Sequence, residues 1–340
     1  MPSPITFIAR TAIVIVTYKR PTLLANLLKS VEAMTAAPQY VVVVDNDSND
    51  DTAQIISAAA KDIANLTYLQ LPENTGGSGG FMAGVKVALE LGAEWVWMMD
   101  DDVTVYPNGL AALMDYTDRY EAIIGRRHSA DGSAYFFQNF FVESLGIHLP
   151  RPGNIFERSE IWETNLSTFE GLLISAKRIA QIGLPDPRFF ITWDDVIYGW
   201  LASQHGAVAC VDAFVMQRMR QLRQISLGVR HLSESSDLSR RHVMRNRGHV
   251  SRYLQHYGRY NPILFWVGTG LTLAKEVVRL MFVERSLKGW PALRRGMSEA
   301  KTIMHDPAWR PAPSIHVARS DLPGSSADEV TVSSHKARLQ

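Results

Sequence analysis

The chain has 340 residues, of which 46% are hydrophobic and 20% charged, proportions of a globular protein rather than a disordered or fibrous one. A formal net charge of +1 gives no electrostatic case for a nucleic-acid partner. The single cysteine, Cys210, excludes an internal disulfide framework and a cysteine-rich zinc site.

The opening "MPSPITFIAR" lacks the basic segment and apolar core of a secretory signal, so the expected location is the cytoplasm. Residues 11–17, 40–46, 66–72 and 94–101 are apolar runs rich in β-branched and aromatic residues, which predicts four strands. Between the first two, Leu23, Leu24, Leu27, Leu28, Val31 and Met34 recur at helical spacing behind Pro21, which suits a first helical turn. Asp50 or Asp51 would cap a second helix, and a third is expected from near Gly79 to Leu91. Continuous apolar strands imply a sheet covered on both faces, hence a parallel α/β sheet. In such sheets ligands bind at the carboxyl ends of the strands. Those ends carry Thr17-Tyr18-Lys19-Arg20, Asp45-Asn46-Asp47 and Asp100-Asp101-Asp102.

The middle is less regular, with strands expected at 133–141, 168–175 and 207–216 and a helix at 194–206 that stops at Gly206. Residues 240–257 should be helical, and 311–340 read as a disordered tail. Within 261–282, the apolar run from Pro262 to Ala274 is too short to span a bilayer, which takes about 20 residues. It suits either packing against the rest of the chain or a helix lying in a membrane interface beside Lys and Arg.

Three constellations could carry chemistry. Single aspartates commonly make turns and caps. Three in a row at a strand end repel one another unless a cation intervenes, and Asp100 and Asp102, two apart on an extended chain, point the same way. Oxygen ligands of this kind suit Mg²⁺ or Mn²⁺. "NTGGSGGF" (74–81) fits neither a Walker loop nor GxGxxG; it is a hinge or a place where backbone approaches a ligand. "WDD" (193–195) sets Asp194 and Asp195 at a helix start, where capping accounts for one and general-base duty is open to the other. The basic run "RHVMRNRGHV" (241–250) is a solvated face or a neutraliser of diphosphate.

"NTGGSGGF", "WVWMMDDD", "FFITWDDVIYGW" and "MRNRG", in this order, resemble the inverting GT-A glycosyltransferases of family 2, and within them bacterial galactofuranosyltransferases. The resemblance runs from about Ala12 to Val250. It implies a GT-A fold, a Rossmann-like, mostly parallel sheet flanked by helices, with a C-terminal helical extension. The catalytic domain would occupy 1–235, its nucleotide-binding half about 1–125 and its acceptor-binding half about 126–235. Residues 236–310 would form the helical region, with membrane contact expected there.

Position by position, the resemblance implies that Thr17, Tyr18, Arg20, Asp45, Asn46, Asn74, Gly77, Gly79 and Asp101 border the nucleotide sugar. Asp100 and Asp102 match the DXD metal ligands for Mn²⁺ or Mg²⁺. Asp195 matches the catalytic base, and Trp193 and Asp194 the acceptor site. Relatives add a histidine ligand after a late strand. Here that position holds Gln217, and His231, fourteen residues before Arg245, is the alternative third ligand. The implied partners are a UDP-sugar donor and a glycan or lipid-linked acceptor, at the inner face of the cell membrane. The implied reaction is galactofuranosyl transfer in cell-surface polysaccharide synthesis, with rhamnosyl or another hexosyl transfer as the alternative.

Two rivals stand outside that reading. A nucleotidyltransferase would show a glycine-rich basic loop after the first strand, where this chain has "TYKRPTLL". A sugar-nucleotide-binding protein without catalysis would have no need of the paired acids of "WDD".

Overall fold

The computed structural model describes residues 6–135, 137–220, 224–226, 231–233 and 235–312. The first half alternates strand and helix: β1 (Thr6–Thr17), α1 (Pro21–Glu32), β2 (Ala36–Asp45), α2 (Thr52–Ala59), β3 (Leu66–Gln70), α3 (Gly76–Glu90) and β4 (Trp95–Asp100). Then come β5 (Val103–Val105), α4 (Gly109–Met114), β6 (Ala122–His128), β7 (Ala134–Tyr135), β8 (Asn139–Val142), β9 (Ile147–Pro150) and β10 (Ile161–Thr164). β11 (Leu172–Ser175), α5 (Ala176–Ile182), α6 (Asp194–Ser203) and β12 (Val208–Arg218) complete the α/β part, followed by the hairpin strands β13 (Gln224–Ser226) and β14 (His231–Ser233). Three helices end the described chain: α7 (Asp237–His256), α8 (Pro262–Val278) and α9 (Trp290–Met304).

The main sheet runs β10-β12-β6-β11-β4-β1-β2-β3. β4, β1, β2 and β3 are parallel, as the apolar runs predict. β11 is antiparallel to both β4 and β6, and β10 is antiparallel to β12, so the sheet is mixed rather than wholly parallel. Alternate residues feed two cores. Val14, Val16, Val42, Val44, Val96 and Met98 face one side, with Phe81 and Val85 of α3. Ile13, Ile15, Val41, Val43, Trp97 and Met99 face the other, with Leu24 and Leu27 of α1 and Leu110 of α4. Burial on both faces explains why these strands read as unbroken apolar runs.

α3 begins earlier than the apolar pattern predicts, so "GGSGG" forms its first turns instead of a hinge. Segment 133–141 divides into β7 and β8, and β6, absent from the sequence reading, lies between β12 and β11 near the middle of the sheet. α7 packs along α9, and its Tyr253 hydroxyl donates to Asp186 (2.8 Å), tying the C-terminal helices to the α/β part. Residues 313–340, where the tail is expected, lie outside the described residues.

Candidate active site

Parallel register places three strand ends side by side: Thr17 pairs with Asp45, and Val16 with Asp100. The three aspartates after β4 have separate environments. Asp101 is 1% exposed and ties β4 to β1, accepting from Thr17 Oγ1 (2.7 Å) and Arg20 Nη1 (2.9 Å). Half-buried Asp102 lies 3.5 Å from Arg20 and 3.8 Å from Arg220. Asp100 forms no ion pair among the described residues. Burial, then the charges of Asp102, Glu170, Asp101 and Asp194, push its carboxyl well above the ordinary range. Arg20 and Arg218 lie near enough for their charges to act on Asp100, yet its carboxyl stays raised, so the donor set of Asp100 and Asp102 fits a hard divalent ion.

Among the described residues no group of three or more His, Cys, Asp or Glu side chains is arranged to hold a metal. Protein ligands beyond the two aspartates would have to come from elsewhere. Gln217, at the end of β12, donates to the Ser129 carbonyl (3.3 Å). His231 falls in β14, but its side chain lies outside the described residues.

The second acidic pair opens α6. Asp194 and Asp195 occupy its first turn, the N-cap is Trp193, and no side chain caps the helix. Capping therefore does not account for either acid; Asp195 instead accepts from the Val196 amide (2.8 Å). Burial comes first in raising both carboxyls, and the charge of Asp195 adds to the rise at Asp194. Arg127 opposes the shift at Asp195, and Glu170 reinforces it. Glu170 joins the two acidic pairs: it is 8% exposed, sits 3.1 Å from both Arg127 and Arg218, and its charge acts on Asp100 and Asp195 alike.

The loop before α6 is strained. Phe190, Thr192 and Trp193 all have positive φ without being glycine, a state costing roughly 1–3 kcal/mol per residue. It is held from two sides. Ser78 N, on α3, donates to the Phe190 carbonyl (3.2 Å), and Gly76 approaches so closely that a Cβ there would overlap that oxygen. On α7, Asn246 Nδ2 lies 2.8–2.9 Å from the carbonyls of Phe189, Ile191 and Thr192. Trp193 is buried, and its indole donates to the Val243 carbonyl (3.1 Å).

On the β2 side, Asp45 is 2% exposed and accepts from Ser48 N (2.9 Å) and Tyr68 Oη (3.0 Å). Asn46 is equally buried and grips the start of α3, donating to the Gly76 carbonyl (2.8 Å) and accepting from Thr75 N (2.9 Å). Asn74 caps the same turn by accepting from Gly76 N (2.9 Å) and hydrogen-bonds the exposed Tyr18. Gly77 opens onto free space, whereas Gly79 packs on Thr75.

The basic run of α7 is spent on structure. Arg241 pairs with Glu299, Arg245 donates to the Arg188 carbonyl (2.7 Å), and buried Arg247 donates to the carbonyls of Leu145 (3.0 Å) and Phe265 (3.1 Å). Sequence reasoning missed Glu170 and Arg127, and it marked Asn246 only as part of "MRNRG", without a role. The only traces of the first two were an arginine pair after Gly125 that closes one apolar run and an acid before Gly171 that opens another.

Residues 12–164 match the family described as "Glycosyl transferase family 2". The chain is 32% identical over 253 residues to the galactofuranosyltransferase GlfT1 of Mycobacterium tuberculosis, covering 70% of this chain and 80% of that protein. It is 28% identical over 189 residues to GlfT1 of Mycolicibacterium smegmatis, covering 54% and 62%. In fold it resembles residues 1–349 of S. aureus TarS, with a TM-score of 0.55 at 14% identity over 87% of this chain and 81% of that one. GalNAc-T7, solved with UDP, GalNAc and Mn²⁺, aligns with a TM-score of 0.52 at 13% identity over 63% of this chain and 44% of its own. Identities this low speak for the fold alone.

Proposed function

The chain belongs to glycosyl transferase family 2 and is a glycosyltransferase, and from that premise we propose that it transfers galactofuranose from UDP-galactofuranose, with inversion, to a glycan or lipid-linked acceptor. The observation that carries this reading is the meeting of two acidic pairs at one sheet edge, close enough for the charge of Asp194 to act on Asp100. One pair suits a cation at a diphosphate, and the other suits a proton acceptor beside a hydroxyl.

Asp195 takes the proton of an acceptor hydroxyl, and that oxygen attacks the anomeric carbon on the face away from the diphosphate. The new C–O bond forms as the bond to UDP breaks, so configuration inverts and UDP leaves with the bonding electrons. Asp194, beside the base, orients the acceptor sugar. Trp193, pinned by its indole, sets the direction in which both carboxylates point. Asp100 and Asp102 would hold Mn²⁺ or Mg²⁺, which supplies positive charge to the departing diphosphate. Arg20, 2.9 Å from Asp101, lies at the same edge and offers its remaining donors to phosphate oxygens.

Asp45, Asn46 and Asn74 shape the nucleotide side mainly by fixing the turn that starts α3, with Thr17, Tyr18, Gly77 and Gly79 around it. The acceptor's lipid would bring the protein to the inner face of the membrane through the exposed side of α8. The test is release of the nucleoside diphosphate, UDP from UDP-galactofuranose, UDP-galactose and UDP-glucose, and dTDP from dTDP-rhamnose. UDP-galactofuranose should be turned over fastest. Equal or faster release from UDP-glucose, or release of dTDP from the rhamnose donor, would overturn the donor assignment.

A further inference from the structure

The "MRNRG" segment of α7 has no role in the mechanism above, yet Asn246 is 0% exposed and sits against the loop that carries the candidate base. Its amide has two hydrogens and faces three carbonyls, those of Phe189 (2.8 Å), Ile191 (2.9 Å) and Thr192 (2.9 Å). The orientation of that amide is set from behind, because Arg245 Nη1 donates to Asn246 Oδ1 (2.8 Å) while also reaching the Arg188 carbonyl (2.7 Å). Two positive-φ residues, Phe190 and Thr192, lie within the clamped stretch, and a third, Trp193, follows it directly. Their carbonyls would turn elsewhere if the backbone relaxed to ordinary φ values. His242 stacks on Phe190 from the same helix, with ring centroids 5.1 Å apart. The opposite side of the loop rests on Gly76 and Ser78.

We infer that Asn246 is a positioning residue for transfer: it holds the strained backbone of 189–192 in the form that aims Asp194 and Asp195 at the acceptor. The inference rests on the reading of Asp195 as base. Only a side chain with both a short reach and two donor hydrogens can serve three carbonyls at once. Aspartate has the same shape and no donor, and alanine leaves the carbonyls unpaired. Because the loop also touches the first turn of α3, the clamp fixes the base relative to the donor side of the site.

The test uses the full chain with Asn246→Ala, Asn246→Asp and Arg245→Met, each read by steady-state transfer, UDP calorimetry and hydrogen exchange. Asn246→Ala should lower kcat about 10- to 100-fold, the scale of a small misplacement of reacting groups. UDP affinity should stay as in the parent. Exchange should rise in peptides covering 187–196 and remain unchanged in β1–β4. The acid limb of the pH–rate profile should move down, since a relaxed loop admits water to carboxylates that burial had raised. Asn246→Asp should be no better than Asn246→Ala. Arg245→Met, which keeps Asn246 but frees its orientation, should show a smaller loss of the same kind. It carries the test if the Asn246 variants do not fold.

An unchanged kcat and pH profile, or a loss confined to UDP affinity, would overturn the inference. Adding Asn246→Ala to Asp195→Asn should cost nothing further, as expected for residues acting as a unit. Full activity in Asp195→Asn would refute the base instead, while exchange in 187–196 would still report on the clamp.

Discussion

Asp100, Asp194 and Asp195 share one physical condition: burial and neighbouring negative charge raise each carboxyl above its ordinary range. A carboxyl raised on folding favours the folded state only while it is protonated. That contribution is complete below the unfolded pKa of about 4 and is lost as pH climbs through the raised value. At pH 8 and without divalent ions, Asp195→Asn should therefore stabilise the fold, by on the order of 1–3 kcal/mol. The gain should vanish near pH 4, where the parent carboxyl is neutral too. The same variant should lose about 10²–10⁴ in kcat, so a thermal melt and a rate assay should move in opposite directions. A variant that melts lower at pH 8 would refute the electrostatic account. If Mn²⁺ binds at Asp100, it should raise the parent's melting temperature, since binding to the folded state alone stabilises by mass action, and Asp100→Asn should gain stability in the same way but lose that rise.

At the scale of elements, α3 carries two kinds of glycine. Gly84 faces β1 and β2: a Cβ there would overlap Val14 and come within 2.9 Å of Val44 Cγ2. Gly84→Ala should cost about 1–3 kcal/mol through overpacking. Gly77 has nothing within 4 Å of such a Cβ, so Gly77→Ala should leave stability unchanged or raise it by up to about 1 kcal/mol through helix propensity. If the Gly77 backbone borders the donor, that variant should raise the donor KM even so. Equal melting temperatures for the two variants would show that α3 does not pack on β1 as described. These elements were largely legible because a strand buried on both faces must be apolar throughout, and α1 repeats its leucines at helical spacing. β6 was not, because its Ala-Ile-Ile start runs into Gly125-Arg126-Arg127, which resembles a loop. Arg127 is buried there with the carboxylate and carbonyl of Glu170, on the approach to a neighbouring strand, and the rings of Tyr135 and Phe137 as its partners. The acidic pairs could be singled out because each lies within one short run of the chain, 100–102 and 194–195. The tie from Asp101 to Thr17 and the clamp by Asn246 join residues far apart in the chain, which no local pattern records.

For the molecule as a whole, the C-terminal helices present two opposite demands. α7 is held in the site by its polar residues, whereas α8 buries only Phe265, Gly268, Thr272 and Glu276 along one side. Its other side leaves Ile263 76%, Trp266 59% and Leu271 53% exposed, and Phe282 beyond it is 63% exposed. Among the described residues no helix is long and apolar enough to cross a membrane. Residues 257–304 carry eight Lys and Arg against three Glu, and an apolar cavity of about 330 Å³ lined by Met244, Phe265, Trp266, Met297 and Met304 adjoins the exposed face. Apolar side chains flanked by basic ones are the pattern of an interfacial helix on anionic lipid. Each large apolar side chain that leaves water contributes about 1.5–3 kcal/mol, so two or three would hold the protein at a surface. The protein should co-sediment with vesicles containing phosphatidylglycerol, more weakly with neutral vesicles, and less as salt is raised. Ile263→Asp combined with Leu271→Asp should abolish co-sedimentation while leaving UDP affinity intact, since both side chains lie on the exposed side of α8. Undiminished co-sedimentation of that double variant, or none by the parent, would remove α8 as the membrane-facing element and leave lipid-linked acceptors to be reached from solution.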